Sequence, residues 1–323
     1  PLQSGLVTFT STAGAMVMKT VAPAILHRVG FRPVLLWNGL AASLLLLPAV
    51  VLLAAFTHVP AVRTFIGALY TTPRGNRPEV FVGLDNYRHL IDDPVFWQAM
   101  ANNVWYAALT IPLSVILALV MALAVDARLP GRAALRMAYF TPTVLPMIAV
   151  ANIWLFFYTP GYGLLDQVLG LFGVAQTNWL GSRDTALNAV IAVAVWKEAG
   201  FFMIFYLAAL QTIPHDLREA AAIEGASRFT FFRRVTLPLL MPTTLFVLVN
   251  AVIGAFRLVD HIVVMTRGGP DNATALLLYY IYEIGFRFWD SAYAATLTTV
   301  LLAILAVLAA VQFLFLERRI HYR

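Results

Sequence analysis

Long apolar runs separated by short charged stretches dominate the chain, and they predict helices long enough to cross a bilayer. A spanning helix needs about 20 consecutive apolar residues. Six segments meet that need, over 40–66, 104–125, 138–158, 186–210, 239–263 and 293–316. Pro48, Pro112, Pro142 and Pro146 fall inside them, where packed neighbours can satisfy the carbonyls that proline frees. Tyr106, Trp154, Tyr158, Trp289 and Tyr293 stand near span ends, as interfacial aromatics do. Asp93-Pro94 reads as the start of a helix leading into the second span, with proline at its first position. The aromatic loop before it, from Phe81 to Trp97, reads as a packed element outside the membrane.

Composition supports the membrane reading. The chain is 61% hydrophobic and 12% charged, with a mean hydropathy of +0.79, whereas a soluble domain carries about 25% charged residues. The net charge of +6 does not point to nucleic acid, because the basic residues cluster beside the apolar runs. Thirteen Lys and Arg fall on one set of loops, among them Arg132, Arg136, Arg218, Arg233 and Arg234, against seven on the other set. Positive charge marks the cytoplasmic side, so both termini and the loop after the fourth span are expected there.

That loop, EAAAIEGASRFTFFRRVTLPLLMP from Glu219 to Pro242, is the most organised polar stretch in the chain. Pro214 ends the fourth span, and Asp216 is placed to cap a new short helix. Glu219 lies in the helix's first turn, where the dipole favours an acid. Ala220, Ala221 and Ala222 form helix readily and let another surface approach the backbone. Gly225 supplies the left-handed stop. Phe229, Phe231 and Phe232 offer apolar anchors among Arg228, Arg233 and Arg234.

Several chemistries lack their residues. Met18 precedes Lys19 and Trp196 precedes Lys197, so neither lysine belongs to a phosphate loop, which needs a glycine there. The six histidines are scattered without ligand spacing, no Gly-x-Ser-x-Gly elbow occurs, and there is no cysteine. No catalytic residue, cofactor or metal is expected.

The order of elements in the polar loop resembles the EAA loop of binding-protein-dependent ABC importer permeases, whose form is EAA-x-x-x-Gly with Leu-Pro about a dozen residues on. Glu219, Ala220, Ala221, Gly225, Leu237 and Pro238 match it, and Glu224 stands where the family often has aspartate. FVGLDNY at 81–87, LPGRAALR at 129–136, NWLG at 178–181, VWK at 195–197 and GGP at 268–270 are similar to the carbohydrate-uptake branch. Within it the chain resembles the first permease subunit of maltose-type and glycerol-3-phosphate-type importers, and its ending is most similar to the latter. The resemblance implies an all-α membrane fold, the type I importer transmembrane domain, with six core helices and a cytoplasmic coupling helix. It also implies a bacterial inner-membrane location, a second permease subunit, two ATPase subunits and an extracytoplasmic solute-binding protein. The permease domain is expected over 39–323, with the coupling loop at 211–238 and Glu219, Ala220, Ala221, Glu224, Gly225, Arg228, Leu237 and Pro238 as its working residues. Residues 1–38 fit the family poorly and are faintly similar to a piece of a major-facilitator exporter. They are expected to be an atypical segment, an extra helix or a fusion.

Polar groups inside the spans are the remaining candidates. Lys197 and Glu198 lie near the middle of the fourth span, and Arg257 and Asp260 lie three positions apart in the fifth, so on one helix face. Buried charge in a membrane defaults towards function, and Lys197, Asn250, Arg257 and Asp260 are the expected translocation path. Structural ion pairs are the competing reading, and Asn152, Asn188 and Asn250 also suit helix–helix hydrogen bonds. Gly200 and Gly254 are expected to permit close packing. A stand-alone secondary carrier driven by an ion gradient is the alternative to the importer subunit.

Overall fold

The computed structural model describes residues 44–127 and 131–316. The atypical segment 1–38 and the terminal arginines Arg318, Arg319 and Arg323 lie outside the described residues. The chain divides into two compact units, Pro1–Arg63 and Thr64–Arg323. The first is described from Leu44, where helix α1 (Leu44–Gly67) begins. A π turn at Ala54–His58 interrupts α1, and every side chain from Leu44 to Arg63 is exposed.

The second unit is helical, and its described residues hold only two isolated β-bridges. A short helix α2 (Asp85–Asp92) precedes the 33-residue α3 (Pro94–Asp126). At about 1.5 Å per residue α3 runs for roughly 50 Å. The expected start is confirmed: Asp93 caps α3 by accepting from the Val95 amide at 2.9 Å, with Pro94 at the first position. Helices α4 (Arg132–Val144) and α5 (Met147–Phe157) follow, then α6 (Leu164–Gly170) and the 26-residue α7 (Ala186–Gln211). Beyond α7 come α8 (His215–Ile223) and a helical run over 228–239, α9, with a π turn at Phe232–Thr236. Helices α10 (Met241–Arg257), α11 (Asp260–Met265), α12 (Leu277–Tyr282) and α13 (Ser291–Leu316) complete the unit.

Among the described residues five helical stretches are long and apolar enough to cross a membrane, and α4 with α5 makes a sixth if that bent pair is one span. The third span is therefore not the continuous helix expected over 138–158. It turns by 105° between Val144 and Met147. Pro142 is carried inside α4, but Pro146 has no N–H for the carbonyl four residues back, so the helix stops there.

Helices α3 and α7 pack through small residues, with Ala118, Ala122 and Ala199 wholly buried. Apolar helices need such close contact, because lipid leaves little hydrophobic drive between them. One core cluster joins α3, α7 and α10 around Phe202, Met203, Tyr206 and Val247. The other joins α3, α5, α7 and α11–α13 around Tyr106, Val150, Ile262, Tyr279 and Leu297. Asn103 ties that second cluster together, donating to the Ala255 carbonyl at 3.4 Å and accepting from the Leu277 amide at 3.1 Å.

Candidate coupling loop and membrane polar groups

Helix α8 is held at its ends and left bare along its length. None of its residues is buried, and Ile223 at its end is 87% exposed. Pro214 occupies the cap position, so Asp216 is not the cap: it sits in the first turn, placed to favour the dipole instead. The stop is as expected. Gly225 adopts φ +71°, its amide bonds the Ala222 carbonyl at 3.1 Å, and the Ala226 amide reaches Ala221 at 2.9 Å. These two bonds form a Schellman closure, which satisfies carbonyls the helix end would otherwise orphan. Arg218 pairs with Asp126, the last residue of α3, at 3.1 Å. Ser227, which the sequence reading passed over, caps α9 by accepting from the Thr230 amide at 3.2 Å.

Glu219, Ala220, Glu224, Gly225, Arg228 and Pro238 are exposed, and Ala221 and Leu237 are half-buried. The motif thus brings a short helix and its following turn together at the end of the bundle where α3 and α7 finish.

The opposite end is closed by Asp93. Its carboxylate is 7% exposed and accepts from the hydroxyls of Tyr280 at 2.6 Å and Tyr293 at 2.5 Å. Burial alone raises a carboxyl pKa, but these hydrogen bonds and those of the α3 amides overcome it and hold Asp93 below its ordinary value. Asp166 is likewise held low, by the Gly161 amide and the Trp179 indole. The tyrosines that meet Asp93 lie 187 and 200 positions along the chain, too far for any local pattern to show, whereas Asp166 takes partners 5 and 13 positions away.

The membrane polar groups do not form one group. Lys197 Nζ donates to the carbonyls of Leu145 at 2.9 Å and of Pro142 and Thr143 at 3.4 Å. Its neighbour Glu198 faces a narrow cleft, lined also by Tyr106, Thr110, Ser114 and Ala251. Arg257 and Asp260 do not share a helix face: α10 ends at Arg257, Leu258 is extended, and α11 starts at Asp260. Both side chains are exposed. Asn250 bonds its own helix at Phe246, 2.8 Å away, and Asn152 does the same at Ile148. Only Asn188 of the three bridges helices, accepting from the Trp105 indole at 3.0 Å. Gly200 is a close-packing site as expected, whereas Gly254 has open space around it. His261, one of the six scattered histidines, is wholly buried and meets the Tyr106 hydroxyl at 3.1 Å. Among the described residues no group of three His, Cys, Asp or Glu is arranged to hold a metal.

The sequence profile described as "Binding-protein-dependent transport system inner membrane component" matches residues 96–322. The chain belongs to that family. Its relatives include the trehalose/maltose transport system permease protein MalF of Thermococcus litoralis, 37% identical over 75% of this chain and 83% of the relative. The sn-glycerol-3-phosphate transport system permease protein UgpA of Salmonella choleraesuis is 33% identical over 91% of this chain and 99% of its own. The fold matches a chain of a bacterial ABC transporter that imports the acidic polysaccharide alginate, with a TM-score of 0.75 at 23% identity. That match covers 88% of this permease and 98% of the other chain. The permease is thus an inner-membrane transport component, and its helical fold is that of an ABC importer subunit.

Proposed function

We propose that this permease forms half of the translocation path of an ATP-driven importer and takes its power from a separate ATPase through α8. The observation that carries this reading is the bare, doubly terminated helix α8, fixed to α3 by Arg218 and Asp126 and joined to the end of α7 through Thr212, Ile213 and Pro214. A helix with no buried residue gains no stability from this chain's core, so its worth lies in what docks against it. Its partners are a second permease subunit, two ATPase subunits and an extracytoplasmic solute-binding protein. The loop and both termini face the cytoplasm, as the arginine bias implies.

The solute is a sugar or a glycerol-3-phosphate-like molecule, by extension from the relatives. Asn250, Arg257 and Asp260 serve the path, Arg257 offering its guanidinium to hydroxyl or phosphate oxygens. Lys197, the fourth expected member, has its ammonium committed elsewhere. ATPase closure pushes on α8, and the permease pair switches between inward-open and outward-open states. Such a switch requires a two-state element that the partner biases.

Reconstitution of the assembled complex in liposomes tests this. Uptake must require ATP inside and the binding protein outside, and Glu219→Lys or Gly225→Pro must uncouple hydrolysis from uptake or strip off the ATPase. Normal uptake by both variants rejects the coupling role, and gradient-driven uptake by this chain alone establishes the secondary carrier instead.

A further inference from the structure

We infer that Lys197 is a positioning residue that holds the bend of the third span, and that it does not bind solute. The bend forms at Pro146. In a continuous helix its N–H would bond the Pro142 carbonyl, and proline has none. The turn of 105° that follows also removes the helical partners of Thr143 and Leu145. A helix end leaves such carbonyls without partners, and in a membrane each needs one. Lys197 Nζ reaches these three oxygens, at 3.4 Å from Pro142, 3.4 Å from Thr143 and 2.9 Å from Leu145. An ammonium has three N–H donors. All three are taken, so a solute oxygen could bind Lys197 only by undoing the clamp. The cation also sits where the negative end of the α4 dipole favours it.

One turn further along α7, Gly200 completes the grip. A side chain there would overlap the Tyr139 carbonyl and come to 2.9 Å of Thr143 Oγ1. Residues 197 and 200 therefore fasten the last turn of α4 to α7, while α5 continues on the other side of the bend. Helix α7 runs unbroken to Gln211, just before α8. Movement received by α8 is then delivered through α7 to the bend at Leu145–Pro146. This last step rests on the coupling role proposed for α8; the clamp does not.

A double-mutant cycle between Lys197 and Pro146 tests the clamp in the full complex, reconstituted with its ATPase and binding protein. Lys197→Met should lower maximal uptake roughly tenfold, the scale set by leaving buried carbonyls unpaired, while KM for solute stays within about threefold and the ATPase still copurifies. Lys197→Arg, which keeps the donors, should recover part of the loss. Pro146→Ala returns the missing N–H, so Lys197→Met should cost much less in that background. If Lys197→Met prevents assembly, the same cycle is read on the yield of complex, which Pro146→Ala should restore. An equal effect of Lys197→Met in both backgrounds, or a raised KM at unchanged maximal uptake, overturns the clamp. Because Glu219→Lys acts at the ATPase contact and leaves this cycle unchanged, failure of the coupling role is distinguishable from failure of the clamp.

Discussion

Replacing Asp93 by alanine should destabilise the end of the bundle opposite α8 by about 4 kcal/mol. One carboxylate there serves three donors: the Val95 amide at 2.9 Å, the Tyr280 hydroxyl at 2.6 Å and the Tyr293 hydroxyl at 2.5 Å. A hydrogen bond to a charged group contributes ~1.5–3 kcal/mol net, and loss of a helix cap costs ~1 kcal/mol. The three share one acceptor, so their losses overlap and the total falls short of simple addition. Asp93→Asn keeps one good acceptor and should cost roughly half as much. The assay is equilibrium unfolding of the detergent-solubilised complex, followed by tryptophan fluorescence. Acid gives a second readout. Hydrogen bonds hold the Asp93 carboxyl below its ordinary value of 3.8, so its contribution is complete above about pH 4 and is lost as pH falls through the folded value. Asp93→Ala should therefore flatten the acid limb of the stability profile. A loss under about 1 kcal/mol, with an unchanged acid limb, would refute the assignment of Asp93 as the shared acceptor.

Gly200→Val should separate α4 from α7 and cost about 1–3 kcal/mol, the usual penalty of overpacking; thermal unfolding at the wild-type temperature would contradict that contact. Asp126→Ala should change stability by less than about 1 kcal/mol, since the Arg218 pair is partly exposed. It should nonetheless weaken the tie between α8 and α3, read as less uptake per ATP hydrolysed, and a normal ratio would show the pair to be idle.

How far the chain announced itself differs from element to element. Helix α8 and its stop were legible because alanine, proline and glycine act locally: Pro214 and Gly225 set the limits whatever packs nearby. Asp216 lies two residues past the cap, and Glu219 beyond the first turn, because Pro214 occupies the cap itself. The bend of the third span was hidden, since four prolines lay in spans and nothing near Pro146 shows that Lys197, on another helix, meets the carbonyls its break leaves open. Arg257 and Asp260 were put on one face because nothing in Arg-Leu-Val-Asp signals the extended Leu258. Asn250 suited a helix–helix hydrogen bond or the path, yet its amide finds the Phe246 carbonyl one turn back, as polar side chains in apolar helices often do. The Asp93 cluster joins residues 200 positions apart, a separation that only the folded chain resolves.

If force enters at α8, that helix must touch the ATPase, and site-specific cross-linking reads the contact. The native sequence has no cysteine, so Ile223→Cys and Glu224→Cys on α8 can each be paired with an engineered cysteine on the ATPase. Tyr162→Cys and Leu171→Cys, exposed at the opposite end, are the controls. Ile223 and Glu224 should give cross-links whose yield changes when ATP binds, and Tyr162 and Leu171 should give none. Absence of any ATPase cross-link from α8 in a complex that transports would contradict it.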